Sequence, residues 1–209
     1  MKKYKYYLFD FDGTLFDTSK PLEFVFKEAY KSVGIQIDPK MVGYLSRVPL
    51  SVSYKELGAP QTKAAWDKFI GKIEETLNSK ESVEMSLPFE ETLEFFNYVK
   101  TNSISIGIVT SNNSNHVRNI LSFYDISLDL LKVIIGNVEA NVPKPDPLPI
   151  NVALKELGLT NQDDVVYIGD SKNDCLSAIN AGIDYYFLDR ENQGHYKDRA
   201  ITNLMELFK

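Results

Sequence analysis

The chain has 209 residues, of which 44% are hydrophobic and 12% aromatic, and this composition predicts a folded protein with a buried core rather than a disordered one. Its length suits one domain of ordinary size with a smaller second one attached. The net charge is −6 at pH 7 and the basic residues are scattered along the chain. This argues against nucleic-acid and membrane-surface partners, because both need a dense basic face.

Two further features of the sequence bear on where the protein works. No uninterrupted apolar run approaches the roughly 18 residues of a membrane-spanning helix. The basic start of the chain leads into a strand-length segment that is too short for the apolar part of a signal peptide. The single cysteine, Cys175, excludes an intrachain disulfide. We therefore expect a cytoplasmic protein from a reducing compartment.

The first predicted element is a β-rich run over residues 4–9, which stops at Asp10-Phe11-Asp12-Gly13. From about residue 18 to residue 84 the pattern is helical, with apolar stripes at helical spacing and no convincing strand. An insertion of this length is too long for a plain loop. We predict a small all-helical cap domain at 18–84 and assign 1–17 and 85–209 to an α/β core.

After the insertion, strand-like and helical segments alternate. The predicted strands cover residues 104–109, 133–135, 165–168 and 185–188, each short and largely apolar, as expected for strands that are buried on both faces. Among the intervening helices, one is bracketed by Pro147 and Gly158, and another runs from Ser171 to Gly182. The alternation predicts a doubly wound parallel sheet.

Polar residues of related chemistry follow the predicted strands. Asp10 and Asp12 follow the first strand, and Thr110 follows the second. Lys144 comes a few residues after the third strand, and Asp170 follows the fourth. In an open α/β sheet, ligands bind beyond the carboxyl ends of the strands. We therefore expect these side chains to converge at one edge.

Carboxylates, a hydroxyl and a lysine at one edge suit phosphoryl transfer. A carboxylate can attack phosphorus as a nucleophile, and a second carboxylate two residues along an extended backbone lies on the same side and can protonate the leaving oxygen. Mg²⁺ binds carboxylate and phosphate oxygens and offsets the repulsion between two anions. A hydroxyl and an ammonium group can stabilise charge on the transferred group.

Four segments of the chain resemble, in order, the four motifs of the haloacid dehalogenase (HAD) superfamily. Four motifs in order at strand ends are far more specific than a single D-x-D. The helical insertion resembles the cap of the phosphoglycolate phosphatase-like branch. The resemblance implies a Rossmann-like core with a helical cap inserted after the first strand. The four segments are residues 10–18, 109–112, 144–147 and 169–174.

The resemblance also implies a role for each matching residue. Asp10 is implied to be the nucleophile and a metal ligand. Asp12 is implied to be the general acid and base and to give its backbone carbonyl to Mg²⁺, and Asp170 completes the metal site. The residues implied to bind the phosphoryl group are Thr110, Ser111, Asn112 and Lys144.

Two candidate residues keep two interpretations each. Asp174 matches the second acidic position of the fourth motif, nearer the water shell of the metal, but its spacing from Ser171 is also close to that of a helix capping box. Arg47, in the cap beside Pro49, is a candidate substrate contact, with a solvated surface charge as its alternative.

The other chemistry-bearing residues receive structural interpretations. Ser114 is predicted to cap the helix that follows the second strand. Cys175 is expected to be a small buried helix residue, since no histidine lies near it in sequence. His116 and His195 show neither zinc-ligand nor triad spacing and are treated as ordinary side chains.

The predicted function is that of a Mg²⁺-dependent phosphatase, which hydrolyses a small phosphorylated metabolite through a phospho-aspartate on Asp10; phosphoglycolate is the substrate suggested by the family. One alternative is a sugar-phosphate mutase of the same family, although residues 19–23 lack the histidine that such mutases carry early in the cap. Another is a non-catalytic binding or regulatory protein on this fold.

Two other functions do not fit the sequence. A dehalogenase would leave Asp12 and Asp170 without a purpose, and a response regulator would carry its phosphorylated aspartate on the third strand. We expect a monomer or a weak homodimer.

Overall fold

The computed structural model describes residues 2–46, 48–192 and 194–209. In chain order, the strands are β1 (Tyr6–Phe9), β2 (Phe16–Asp17), β3 (Leu87–Pro88), β4 (Ser105–Val109), β5 (Leu131–Ile135), β6 (Val165–Gly169), β7 (Asp184–Leu188) and β8 (Ala200–Ile201). The α-helices are α1 (Ser19–Ser32), α2 (Val42–Leu45), α3 (Leu50–Glu56), α4 (Lys63–Leu77), α5 (Lys80–Met85), α6 (Thr92–Thr101), α7 (Ser114–Phe123), α8 (Leu148–Glu156) and α9 (Lys172–Ala181). None of the helices in these ranges combines the length and the apolar character that crossing a membrane requires.

Six of the described strands form one sheet in the order β5-β4-β1-β6-β7-β8, and its neighbouring strands run parallel. Phe9 at the end of β1 is in register with Ile108 of β4 on one side and Ile168 of β6 on the other. The strand order changes direction between β1 and β6, which is where open α/β sheets bind ligands. The predicted doubly wound α/β fold is therefore confirmed, and β2 and β3 pair in a separate two-stranded sheet.

The central strands are buried on both faces, which explains their continuous apolar sequences. Leu8 of β1, Ile108 of β4 and Ile168 of β6 have no exposed surface. Helices α8 and α9 pack against the sheet. Beyond the carboxyl ends of β1, β4 and β6, the chain leaves this apolar layer, and the polar segments of the predicted motifs begin there.

Several strand limits differ from the predicted ones. β1 begins at Tyr6 rather than at residue 4, because the N–H of Tyr4 donates to the hydroxyl of Tyr7 at 3.2 Å instead of joining the strand ladder. β5 is longer than predicted, since it begins with Leu131 and the exposed Lys132, whose charge hides the apolar pattern. The strands β2, β3 and β8 have two residues each, which is too short for any periodic signal.

The caps of two helices show how local chemistry sets helix limits. Helix α9 begins with a capping box, in which Ser171 and Asp174 bond to each other's backbone N–H, and ends at Gly182 in the left-handed conformation. Helix α7 is capped by Asn113, whose side chain accepts from the N–H of Asn115. The prediction that Ser114 caps α7 is wrong, because its hydroxyl donates instead to Glu139 Oε1 at 2.8 Å.

The chain divides into two compact units, one formed by Met1–Asp17 with Pro88–Lys209 and the other by Thr18–Leu87. The smaller unit contains α1 to α5 and has an aromatic core of its own, in which the rings of Tyr30 and Tyr54 each lie 4.8 Å from that of Phe69. Its limit after Leu87 falls three residues beyond the predicted 84, because α5 continues to Met85.

Candidate active site

The register of the sheet brings three predicted site residues to one edge. Asp10 directly follows β1, Thr110 follows β4 and Asp170 follows β6. The backbone N–H of Asp10 donates to the carbonyl of Ile168 at 2.8 Å, and that of Thr110 donates to the carbonyl of Ile135 at 2.9 Å. Both residues therefore continue the strand ladder, so that their backbones are as fixed as the sheet itself.

Lys144 forms the centre of a buried ion cluster with Asp10 and Asp174. Its Nζ lies 2.8 Å from Asp10 Oδ1 and 2.5 Å from Asp174 Oδ1. The relative exposures of Asp10, Asp174 and Lys144 are 7%, 0% and 8%. Lysine is almost never buried unless it is paired, and here the two carboxylates provide that pairing.

Burial and crowding shift the pKa values in this cluster. Burial first, and then the neighbouring carboxylate of Asp174, raise the pKa of Asp10 well above its ordinary value. For Lys144, burial opposes the charged form, but the attraction of Asp10 and Asp174 outweighs it and raises the pKa of the ammonium. The lysine therefore stays cationic, while burial and the neighbouring carboxylates disfavour the ionised form of Asp10.

Tyr167 of β6 belongs to the same cluster, although the sequence analysis did not identify it. Its hydroxyl donates to the carbonyl of Val109 at 2.7 Å and accepts from Lys144 Nζ at 3.0 Å. It also lies 3.2 Å from Asp174 Oδ1. A fully buried tyrosine needs a partner for its hydroxyl. Tyr167 lies in a buried apolar strand two residues before Gly169, so the need for a hydroxyl partner near the site was the signal available in the sequence.

Asp12 is held by the segment that follows β4. Thr110 Oγ1 donates to Asp12 Oδ2 at 3.3 Å, and Asn112 Nδ2 donates to Asp12 Oδ1 at 3.0 Å. The hydroxyl of Thr110 also accepts from the N–H of Asn112 at 3.1 Å. Two of the side chains predicted to bind phosphate thus orient the second carboxylate of the D-x-D pair.

Asp170 packs against the turn that follows β1. Thr14 Oγ1 donates to Asp170 Oδ1 at 3.0 Å. A Cβ atom on Gly13 would lie 2.4 Å from Asp170 Oδ2, so a glycine is required there for steric reasons as well as for its φ of +78°. Burial, and after it the charge of Asp174, raise the pKa of Asp170 to about 6.

Three of these carboxylates form a group that could hold a cation. Asp10, Asp170 and Asp174 each offer an oxygen, and the three oxygens lie within 4.8 Å of one another. Hard divalent cations prefer such all-oxygen donor sets. Lys144 pairs with two of these carboxylates, and a bound cation would offset the remaining negative charge, so the residues present fit a divalent metal ion.

Asp174 forms the capping box that was one of its two interpretations, and its role beside a metal stays a prediction. Its Oδ2 accepts from the N–H of Ser171 at 2.9 Å and from the Ser171 hydroxyl at 2.5 Å, which completes the capping box of α9. Its Oδ1 faces Lys144 and Tyr167. A Cβ on Gly169 would lie 2.4 Å from the carboxyl carbon of Asp174. The carboxylate is therefore engaged on both sides while it also lies in the acidic group.

The remaining candidates of the sequence analysis are Ser111, Arg47, Cys175, His116 and His195. Ser111 is exposed at the start of the segment after β4, and Arg47 lies outside the described residues. Burial raises the pKa of the Cys175 thiol to about 12, as suits a structural cysteine. His116 is buried, and burial lowers its pKa to about 4 although the charge of Asp12 opposes that shift. His116 is therefore neutral, while His195 is exposed.

The chain is similar to several known proteins. A model of the family described as haloacid dehalogenase-like hydrolase matches residues 7–188. A protein of Oceanobacillus iheyensis named pyrophosphatase PpaX is 26% identical over 176 residues, which are 84% of this chain and 79% of the relative. A phosphoglycolate phosphatase of Colwellia psychrerythraea is 28% identical over 189 residues, covering 85% of this chain and 80% of the relative.

A solved structure gives the same result for the fold. A Bacteroides fragilis protein named as haloacid dehalogenase-like superposes with a TM-score of 0.81 at 26% identity, covering 98% of this chain and 100% of that one. The family match covers most of the chain, and the motif segments 10–18, 109–112 and 169–174 begin at the ends of β1, β4 and β6. The chain belongs to the family of haloacid dehalogenase-like hydrolases.

Proposed function

We propose that the protein is a Mg²⁺-dependent phosphatase that hydrolyses a small phosphorylated metabolite through a phospho-aspartate on Asp10. The observation that carries this proposal is the placement of Asp10. It is a buried carboxylate directly after the central strand, 2.8 Å from Lys144 and within an acidic group whose oxygens lie within 4.8 Å of one another. Membership of the hydrolase family supports the same chemistry.

In the first proposed step, a carboxylate oxygen of Asp10 forms a bond to phosphorus while the bond between phosphorus and the ester oxygen breaks. The carboxyl group of Asp12 gives its proton to that oxygen, which leaves as an alcohol. Asp12 is suited to this role because it lies two residues from Asp10 and its carboxylate is oriented by Thr110 and Asn112.

In the second proposed step, a water molecule attacks the phosphorus of the phospho-aspartate. Asp12, now ionised, takes a proton from that water, and the bond between phosphorus and Asp10 breaks to release phosphate. Both carboxyl groups then return to their starting state. Use of one residue as acid and then as base requires a carboxylate held in one place, and the two hydrogen bonds to Asp12 supply that constraint.

The metal would be held by the side chains of Asp10 and Asp170 and by the backbone carbonyl of Asp12, with Asp174 supporting the site. Bound Mg²⁺ would supply charge neutralisation between the nucleophile and the phosphate oxygens. We propose that Thr110, Ser111, Asn112 and Lys144 hold the phosphoryl group. Lys144 is the group among them whose position is best defined, since three partners fix its Nζ.

For the substrate, we propose a small phosphorylated metabolite. Phosphoglycolate, a phosphomonoester, is the first compound to test, and pyrophosphate, a phosphoanhydride, is the second. Relatives named phosphoglycolate phosphatase and pyrophosphatase PpaX support this choice. We further propose that the helical unit Thr18–Leu87 serves as the cap domain, because it is compact, has its own core and is inserted between two segments of the α/β unit.

The proposal is tested by measuring phosphate release from p-nitrophenyl phosphate, phosphoglycolate, pyrophosphate and a set of sugar phosphates, with and without Mg²⁺. The wild type should release phosphate only with the metal, and the Asp10→Asn variant should not release it. Borohydride reduction of acid-quenched enzyme, followed by mass spectrometry, should convert the phosphorylated aspartate at position 10 to homoserine in the wild type alone. Phosphate release that survives Asp10→Asn, or a label on another residue, would refute the mechanism. Phosphoryl transfer between sugar positions without release would indicate a mutase.

A further inference from the structure

Arg190 lies near the proposed metal site and plays no part in the chemistry described above. It follows β7 (Asp184–Leu188) by two residues, at the carboxyl edge of the sheet. Its Nη1 lies 2.5 Å from Glu91 Oε1, and its Nη2 donates to the carbonyl oxygen of Thr14 at 2.6 Å. The guanidinium carbon lies 3.8 Å from the centre of the Phe89 ring. The side chain is thus fixed on three sides.

The pairing with Glu91 is mostly buried. The side chains of Arg190 and Glu91 are 20% and 7% exposed. Glu91 is the residue before α6, and its Oε1 also lies 3.5 Å from the N–H of Leu204. Arginine presents a rigid planar fork of donors, which suits simultaneous contact with a carboxylate and a carbonyl. Glu91 therefore fixes the direction in which Arg190 reaches the turn after β1.

Thr14 alone connects Arg190 to the proposed metal ligand Asp170 in this chain of contacts. Thr14 has no exposed surface. Its carbonyl accepts from Arg190, and its hydroxyl donates to Asp170 Oδ1 at 3.0 Å. Gly13, the preceding residue, packs directly against the same carboxyl group. A displacement of Thr14 would therefore alter the orientation of Asp170.

We propose that Arg190, braced by Glu91, is a positioning residue that holds Thr14 and through it orients the carboxylate of Asp170 for metal binding. The inference rests on the proposed function for the identity of Asp170 as a metal ligand. Residues that orient metal ligands through hydrogen bonds commonly contribute strongly to metal affinity. The proposal assigns this role to a pair whose members are separated by 99 positions in the chain.

The test measures Mn²⁺ binding to the metal-free full chain by electron paramagnetic resonance, with Mg²⁺ as a competitor. Arg190→Met should raise the Kd for Mn²⁺ by about tenfold. Because this variant leaves Glu91 buried without its partner, the double variant Glu91→Gln with Arg190→Met provides a charge-matched form that is expected to fold and to show the same weakening. The control is Arg199→Met. Like Arg190, Arg199 pairs with a carboxylate, that of Asp184, and lies over an aromatic ring, that of Tyr185. That control should leave the Kd unchanged.

Two further measurements separate positioning from simple destabilisation. Thr14→Val should weaken Mn²⁺ binding, and adding Arg190→Met to it should have little further effect, because both changes break the same connection. Hydrogen exchange of the peptide containing residues 11–16 should be faster in the metal-free double variant than in the wild type. Unchanged Mn²⁺ affinity in a folded Arg190 variant, or fully additive effects with Thr14→Val, would overturn the inference. Normal Mn²⁺ binding by a wild type that releases no phosphate would refute the proposed function alone.

Discussion

The two compact units bury different kinds of side chain. The helical unit Thr18–Leu87 has a core of apolar and aromatic residues, and the buried hydroxyl of Tyr30 in it donates to Ser53 at 2.9 Å. The α/β unit instead buries a lysine and several carboxylates at the carboxyl edge of its sheet. Burying charge is costly unless it is paired. The raised pKa of Asp10 indicates that its ionised form is unfavourable at this edge, and such shifts are common where a protein carries out chemistry.

Removal of the negative charge of Asp10 is expected to change turnover more than the other substitutions below. Asp10→Asn should lower turnover by at least about a thousandfold, since the proposed nucleophile is lost. The metal-free variant should be as stable as the wild type or more so. Burial and neighbouring carboxylates raise the pKa of Asp10, so its ionised form opposes folding at neutral pH. Thermal denaturation followed by circular dichroism checks the stability, and a marked loss of stability would contradict this account.

The corresponding change in the helical unit should affect stability alone. Phe69 has no exposed surface and contacts the rings of Tyr30 and Tyr54. Phe69→Ala should lower the free energy of unfolding by about 3–5 kcal/mol, because it leaves a cavity among these rings. Trp66, the single tryptophan of the chain, lies 4.9 Å from Tyr54 and reports on this unit by fluorescence. The control Val52→Ala, at a position that is 40% exposed, should change the stability by less than about 0.5 kcal/mol.

A matched pair of tyrosine variants compares the two units by the same chemical change. Tyr167→Phe removes the hydroxyl that binds Lys144 and the carbonyl of Val109, and it should lower kcat about tenfold by loosening the lysine. Tyr30→Phe removes a buried hydroxyl that bonds only with Ser53 among the contacts observed in the described residues, and it should cost about 1 kcal/mol of stability with kcat unchanged. Equal kcat values for the two variants would show that Tyr167 is merely structural.

The smallest expected effect concerns pH. Burial and the charge of Asp174 raise the pKa of Asp170 to about 6. A divalent cation must displace the proton from this carboxyl group, so below pH 6 Asp170 should lower the metal affinity by up to about tenfold per pH unit. The raised pKa of Asp10 adds a dependence of the same sign. In the metal-free protein, a raised pKa means that the folded state binds this proton more tightly than the unfolded state. This contribution to stability is therefore lost as the pH rises from the ordinary carboxyl range through about 6.

Calorimetric titration of Mg²⁺ between about pH 5 and about pH 7 would measure this dependence, since this range extends about one unit on either side of the Asp170 pKa of about 6. In the Asp170→Asn variant, affinity should be weak throughout, and the dependence on pH near 6 should be lost. A wild-type affinity that stays constant across the range would show that Asp170 does not give up a proton when the metal binds.

The sequence predicted the elements that have a periodic apolar pattern or that end at an abrupt change from apolar to polar residues. The apolar strands, the helical insertion and the four motif segments at the strand ends all have local signals, and the family and fold class predicted from them are confirmed. The structure also brings Asp10, Lys144 and Asp174 into one cluster and places Asp12 beside Thr110 and Asn112. The catalytic roles assigned to these residues remain predictions.

The local sequence did not decide which residue caps a helix where two neighbouring residues could both form the cap. Asn113 and Ser114 are both suitable N-cap residues, and the choice of Asn113 follows from Glu139, which accepts the hydroxyl of Ser114 from 25 positions away. In the same way, the position of Asp174 in a capping box was predictable from its spacing. Its simultaneous contact with Lys144 depends on how the chain returns to the sheet.

By itself, the sequence determined which residues end the strands, because buried parallel strands are continuous apolar runs and their ends are marked by a change to polar residues. The partners that those residues meet depend on the tertiary fold. Tyr167 reaches Lys144 across 23 positions, and Arg190 reaches Glu91 across 99. Such pairs carry no periodic signal, since they depend on strand order and register, which are set when the whole sheet assembles.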